Sequence, residues 1–219
     1  MAASEIEICN RALSRIGQTD QLEDLAPTLE EVEALLTGVA AEQCVLHYAA
    51  SRDFVLRGPF SWPFATVREA LAVVAGEARS DWAYVYAYPA GALKVRFVAL
   101  QGVRNPRPDQ IPSHKIETRK DAAGAVIGKL ILCDQVDAEI SYTARVTNPA
   151  AFDADFEAAL VALLASRLAP ALVKGAEGSK LAKECLDEHV YFVRLAAANA
   201  ANEQKDDPEP PGAFLASRG

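Results

Sequence analysis

The chain has 219 residues, 51% of them hydrophobic and 24% charged, the composition of a folded globular protein rather than a disordered one. Its formal net charge of −8 excludes nucleic-acid binding through a general basic surface, because phosphate contacts need cationic neutralisation. No apolar run approaches a membrane span, and the acidic opening MAASEIEIC has no apolar leader region; the expectation is an unprocessed product made in the cytoplasm, with no membrane partner.

The first predicted element is a helix in SEIEICNRALSRIGQ. Ser4 can cap it, Glu7 completes a capping-box pattern, and Gly17 ends it. Ile6, Cys9, Leu13 and Ile16 fall at helical spacing and form one apolar stripe. An acidic linker follows. Pro27 and a Thr28/Glu31 capping box then open a second helical stretch running to Gly58, with Gly38 as its breaking point. GPFSWPFA stops it with two prolines and gathers Phe60, Trp62 and Phe64 into one corner.

From about residue 80 the apolar period changes from 3.6 to 2. In WAYVYAYP the aromatics Trp82, Tyr84, Tyr86 and Tyr88 share one face. LKVRFVAL, HKIETR, VIGKLILC and DAEISYTARV read as further strands joined by Gly/Pro turns. Asn148-Pro149 ends the sheet and helical pattern returns, with Asp153, Asp155 and Glu157 in the first turns, where the helix dipole favours acids. Pro170 predicts a kink. A last helix, roughly 179 to 202, places Leu181, Cys185, Val190, Val193 and Leu195 on its apolar side.

These elements predict an α+β fold: a helical bundle of about four helices, an inserted antiparallel β-rich domain and an extended C-terminal tail. The expected division is 1–78 and 148–205 for the helical body, 79–147 for the β domain and 206–219 for the tail. Charge follows it, with residues 1–60 at −6, residues 61–151 at +2 and residues 152–219 at −4. The tail has acids and prolines followed by Phe214 and Leu215, and reads either as a frayed terminus or as a docking peptide that orders on a partner.

Chemistry is sparse. No nucleotide-binding, zinc-protease, nucleophile-elbow or EF-hand motif occurs. Cys9, Cys44, Cys133 and Cys185 are far apart and lie in apolar patterns, as buried reduced thiols do. Cys44 and His47 could meet as i, i+3 neighbours, but packing accounts for both. His47 and His189 read as core or interface residues. The carboxylate pairs Asp153/Glu157 and Glu184/Glu188 have helical spacing, and solvated helix faces explain them. The chain therefore reads as a binding or structural protein, with no enzymatic activity, cofactor or metal expected.

The segments ICNRALSRIGQ, AAEQCVLHYAASRDFVLRGPFSWPFA, WAYVYAYPAGALKVR, ISYTARVTNPAAFDADFEAALVALLASRLAPAL and GAFLASRG resemble, in that order, the tail tubular protein A or head-to-tail adaptor family of tailed bacteriophages. The chain departs from the family at Gly91-Ala92, where a polar pair is common, and at Phe214, where Trp is common. The resemblance implies a virion structural protein at the head–tail junction. Such proteins form a homo-oligomeric ring, usually of twelve subunits, between the portal protein and the downstream tail or nozzle protein. Double-stranded DNA passes through the channel without specific binding. The resemblance also implies that the C-terminal tail inserts into the portal, with Pro210, Pro211, Phe214, Leu215 and Arg218 as its docking residues.

A ring needs heterologous interfaces, in which each subunit uses two different faces. Ala158–Ala165 reads AALVALLA, with no polar residue on any side. It is therefore expected to bury one side in its own bundle and the other against a neighbouring copy, through Ala158, Ala162, Ala165 and Leu168. Other readings are a neck or head-completion protein of a long-tailed or gene-transfer particle, a cell-wall-degrading tail enzyme, or a soluble cytoplasmic regulator.

Overall fold

The computed structural model describes residues 4–19, 22, 38–103 and 106–203. Among them the chain is mixed α+β, with four helices and two three-stranded antiparallel sheets. Helices α1 (Glu5–Arg15) and α2 (Val39–Leu56) precede the strands, and α3 (Ala154–Leu172) and α4 (Ala176–Glu203) follow them.

Helix α1 begins and ends by the devices its sequence carries. The Glu7 backbone N–H donates to Ser4 Oγ at 3.1 Å. At the other end Gly17 adopts φ 74°, which favours glycine, while Gly17 and Gln18 N–H groups return to the Ser14 and Leu13 carbonyls. Helix α2 starts at Gly38, its N-cap. The predicted start at Thr28/Glu31 lies outside the described residues.

Helix α3 is the axis of the helical part. Helices α1, α2 and α4 all pack on it, and Phe156, Leu160, Leu164, Ala165 and Leu168 have no accessible surface. Each such leucine or phenylalanine contributes about 1.5–3 kcal/mol on burial. Pro170 sits in the last turn and α3 continues to Leu172. The α3–α4 turn is tight: a Cβ on Gly178 would come within 2.3 Å of the Val173 carbonyl oxygen. Helix α4 is longer than the sequence suggested, and two of the residues assigned to its apolar side, Val190 and Leu195, face outward.

The aromatic corner forms as expected. Trp62 is buried, edge-on to Phe60 at 4.8 Å and to Phe156 at 5.0 Å, with its indole N–H donating to the Val55 carbonyl. Phe64 and Phe152 extend the cluster.

The strands are β1 (Thr66–Ala70), β2 (Tyr84–Ala87), β3 (Ala92–Leu100), β4 (His114–Lys120), β5 (Val126–Cys133) and β6 (Ala138–Ala144). One sheet has the order β1-β6-β3, the other β2-β5-β4. Val98, Ile140 and Tyr142 of the first share a core with Tyr86, Ile131 and Cys133 of the second. Strand β1 corrects the expected boundary at 78/79, since TVREA pairs with β6 across its whole length. Its polar residues at both faces hid it, because β1 is an edge strand largely open to water. Tyr84, Tyr86 and Tyr88 keep to the shared-core face, whereas Trp82 precedes the strand and packs instead with Val74 and Val85.

One arginine joins the sheets to the helices. Arg96 of β3 donates to the carbonyls of Leu56 (3.1 Å), Gly58 (2.9 Å), Pro59 (3.2 Å) and Phe60 (3.0 Å), and to Thr143 Oγ1 (2.7 Å). Those five bonds use all five guanidinium N–H donors. Lys94 Nζ adds a bond to the Gly58 carbonyl at 3.2 Å. Burial lowers the pKa of both side chains from their ordinary values.

Candidate docking surface

The residues weighed for chemistry are engaged structurally. Cys44 lies against Cys9; their hydrogen bond, then burial, pushes the Cys9 thiol well above its ordinary range, away from the thiolate a nucleophile needs. Glu157 pairs with Arg11 at 3.0 Å, and Glu188 pairs with Arg15, so these acids tie α3 and α4 to α1. Glu184 lies 3.9 Å from Lys180 on one exposed turn. His189 is buried between α3 and α4, its Nδ1 2.8 Å from the Ala159 carbonyl oxygen. Burial lowers the His189 pKa, against the smaller opposing effect of that hydrogen bond. Among the described residues no three metal-ligating side chains come together, and no helix is long and apolar enough to cross a membrane.

The contact residues expected on α3 fall differently. Ala162, Ala165 and Leu168 have no accessible surface within the single chain, which corrects their assignment to a neighbouring copy. The physical reason is that α1, α2 and α4 each present an apolar stripe to α3 and together close its circumference. Ala158 alone is half-buried, at a hollow of about 370 Å³ beside Arg11, Arg15 and Glu157. Pro210, Pro211, Phe214, Leu215 and Arg218 lie outside the described residues.

In the helical part the open apolar surface lies one layer further out, and the β part exposes Val73, Val126 and Ile127 as well. On α2, Val39, Leu46 and Phe54 are 60%, 65% and 55% exposed, on the face opposite the buried Cys44, Tyr48 and Val55. On α4, Leu186 and Val190 are exposed on one flank, and Tyr191 and Leu195 on the other. Between the outer faces of α2 and α4 runs a groove of about 880 Å³, with Phe54, Val190 and Val193 on its walls. The Arg167 guanidinium lies 5.4 Å from the Phe54 ring centroid and holds it by a cation–π contact, while donating to Ser51 Oγ at 3.0 Å.

Arg57 and Arg194 line the groove as well, and neither pairs with a carboxylate among the described residues. Asp53, also on the lining, is occupied by Arg52 and Arg145, each at 3.0 Å. The groove is therefore apolar and cationic in a chain whose net charge is strongly negative. Gly58-Pro59-Phe60, the loop that Arg96 holds, forms part of the lining. Sequence reasoning passed over Phe54, Arg57 and Arg194. The signal was present in the spacing of Val39, Leu46 and Phe54, which repeats at seven and eight residues opposite the main stripe. No protein-family model and no curated protein matches this chain significantly.

Proposed function

We propose that this chain is a virion structural protein that forms a ring adaptor, joining the portal vertex of a phage head to the tail and lining the DNA channel. In this reading the fold is a helical bundle with an inserted β domain, and residues 206–219 form an extended docking tail. The β domain begins at Thr66, where β1 enters the sheet, rather than at 79. The five-segment resemblance supplies the family. The observation that carries the reading physically is the pair of apolar outer faces on α2 and α4. Exposed apolar residues on separate helix faces suit a heterologous interface, in which one face of a subunit meets a different face of the next.

The ring contact accordingly belongs to α2 and α4, with Ala158 as the only expected α3 residue that retains surface. The partners of the proposed ring are the portal protein and the downstream tail or nozzle protein. The negative net charge suits a channel that lets DNA pass without binding it. The test is co-purification with a portal ring, using the full chain and a chain lacking residues 208–219. The full chain should bind and the shortened one should stay folded without binding. Binding that survives the deletion would remove the tail's role, and failure of the full chain to bind would remove the adaptor reading.

A further inference from the structure

We propose that the α2/α4 groove is a receptor for the chain's own C-terminal segment, which folds back in cis and seats Phe214 and Leu215 against Phe54, Val190 and Val193. Three observations converge on this occupant.

The first is a continuous path. Glu203, the last described residue, lines a second hollow of about 370 Å³ together with Asn199, Ala200 and Phe60. Phe60 lines the large groove too, so the two hollows adjoin and lead from Glu203 to Val193 and Val190.

The second is reach. From Glu203 back to Val190 is thirteen residues of helix, about 20 Å at 1.5 Å per residue. From Glu203 to Phe214 is eleven residues of chain, up to about 36 Å when extended. Phe214 can therefore reach the groove with length to spare, and Pro208, Pro210 and Pro211 lower the entropy lost on docking.

The third is the order of charge. The hollow next to Glu203 carries Asp153 and Asp155 as well, and the first charged residue of the segment is Lys205. Asp206, Asp207 and Glu209 follow, on the way to a groove lined by Arg57 and Arg194. Phe214 and Leu215 come next and meet the apolar walls, with Arg218 beyond them near the chain end. From Lys205 to Leu215, positive faces negative, then negative faces positive, then apolar meets apolar, in chain order. A partner peptide of other sequence would have to reproduce that order, and the segment tethered beside the path already has it at millimolar effective concentration.

The cis contact does not rest on the adaptor reading; its consequence for assembly does. In the proposed ring the fold-back occupies the Phe54, Val190 and Val193 part of the α2 and α4 faces in the free subunit and leaves it when a portal captures the tail.

The experiment is a disulfide trap in the full-length isolated chain, carrying Ala50→Cys with Ala216→Cys and oxidised mildly, which leaves Phe214, Leu215 and the walls Phe54, Val190 and Val193 in place. Ala50 is an exposed residue on the groove lining, so the change leaves the core intact, and the four native cysteines are buried. The control pairs Ala216→Cys with Val126→Cys, on an exposed strand position of β5. Docking predicts an intramolecular disulfide at monomer mass, formed at least about tenfold faster than in the control, because docking raises the local concentration above that of a free tether. Reversing both groove cations, Arg57→Glu with Arg194→Glu, should slow it several-fold while the circular dichroism spectrum is unchanged. Equal rates in trap and control would overturn the proposal. Disulfide-linked dimers as the main product would assign the groove to a second copy and equally overturn it.

Discussion

Arg96 is the single side chain whose removal should most weaken the junction between sheet and helices. Its five N–H donors meet the carbonyl of Leu56 at the end of α2, three carbonyls of the loop after it and the Thr143 hydroxyl. A hydrogen bond from a charged donor contributes about 1.5–3 kcal/mol, and five taken independently would sum to most of a domain's stability. The side chain is only half-buried, so water replaces part of what is lost, and a loss of about 3 kcal/mol on Arg96→Met is the expected scale. For a chain of this size that corresponds to a Tm lower by about 6–12 °C. Arg96→Lys keeps the charge but presents its donors from one point, without the planar fork, and should recover less than half of the loss. Scanning calorimetry on the three proteins measures this directly. A methionine variant melting within about 2 °C of the parent would refute the clamp. Full recovery by lysine would show that charge alone holds the loop.

Ala162→Glu should cost about 3–5 kcal/mol and leave the chain largely unfolded, because it buries an unpaired carboxylate in a site with no free surface. Ala158→Glu, half-buried beside Arg11 and Arg15, should stay within about 1 kcal/mol; circular dichroism melts compare the two, and equal tolerance would deny that α3 is core. Stability should fall with acid through His189. Its folded pKa lies below the unfolded value of about 6.5, so the unfolded chain binds more protons, and stability present above that pH is lost as pH falls through and below it. His47 is shifted the same way by burial and by Arg167. Replacing His189 by Gln should therefore shrink, without abolishing, the drop in Tm between about pH 7.5 and pH 5.5; an unchanged drop would assign it elsewhere.

Where one physical cause dominates a segment, the sequence was enough. Ser4 and Gly17 bound α1 because capping chemistry is local. Five of six strands were visible as short alternating or continuously apolar runs between Gly/Pro turns, β5 being buried on both faces from Leu130 to Cys133. Strand β1 was not, since none of its five residues is buried and the charged Arg68-Glu69 pair at its centre breaks any apolar pattern. Arg96 was equally invisible: four of its five partners are backbone carbonyls 36 to 40 residues away, and a carbonyl has no sequence signature. The groove lay between, half legible. The outward repeat of Val39, Leu46 and Phe54 could be read from α2 alone. That its last member, Phe54, faces Val190 and Val193 of α4 across a groove depends on both helices packing on α3.

The same packing explains why AALVALLA was misread. A helix apolar on all sides reports only that every side is covered, whether by its own chain or by another copy. The arbiter is the number of other helices that carry a stripe of their own. Here α1, α2 and α4 each carry one, and three helices suffice to enclose a fourth whose small alanines let them approach closely. The demand for a partner is thereby satisfied inside the chain for α3 and transferred outward. Helices α2 and α4 have each spent one face on α3 and still carry exposed apolar residues on another. A second stripe on a helix whose first is already buried is the feature that asks for an occupant. Phe54, Val190 and Val193 are therefore the residues through which this chain's contacts should be sought.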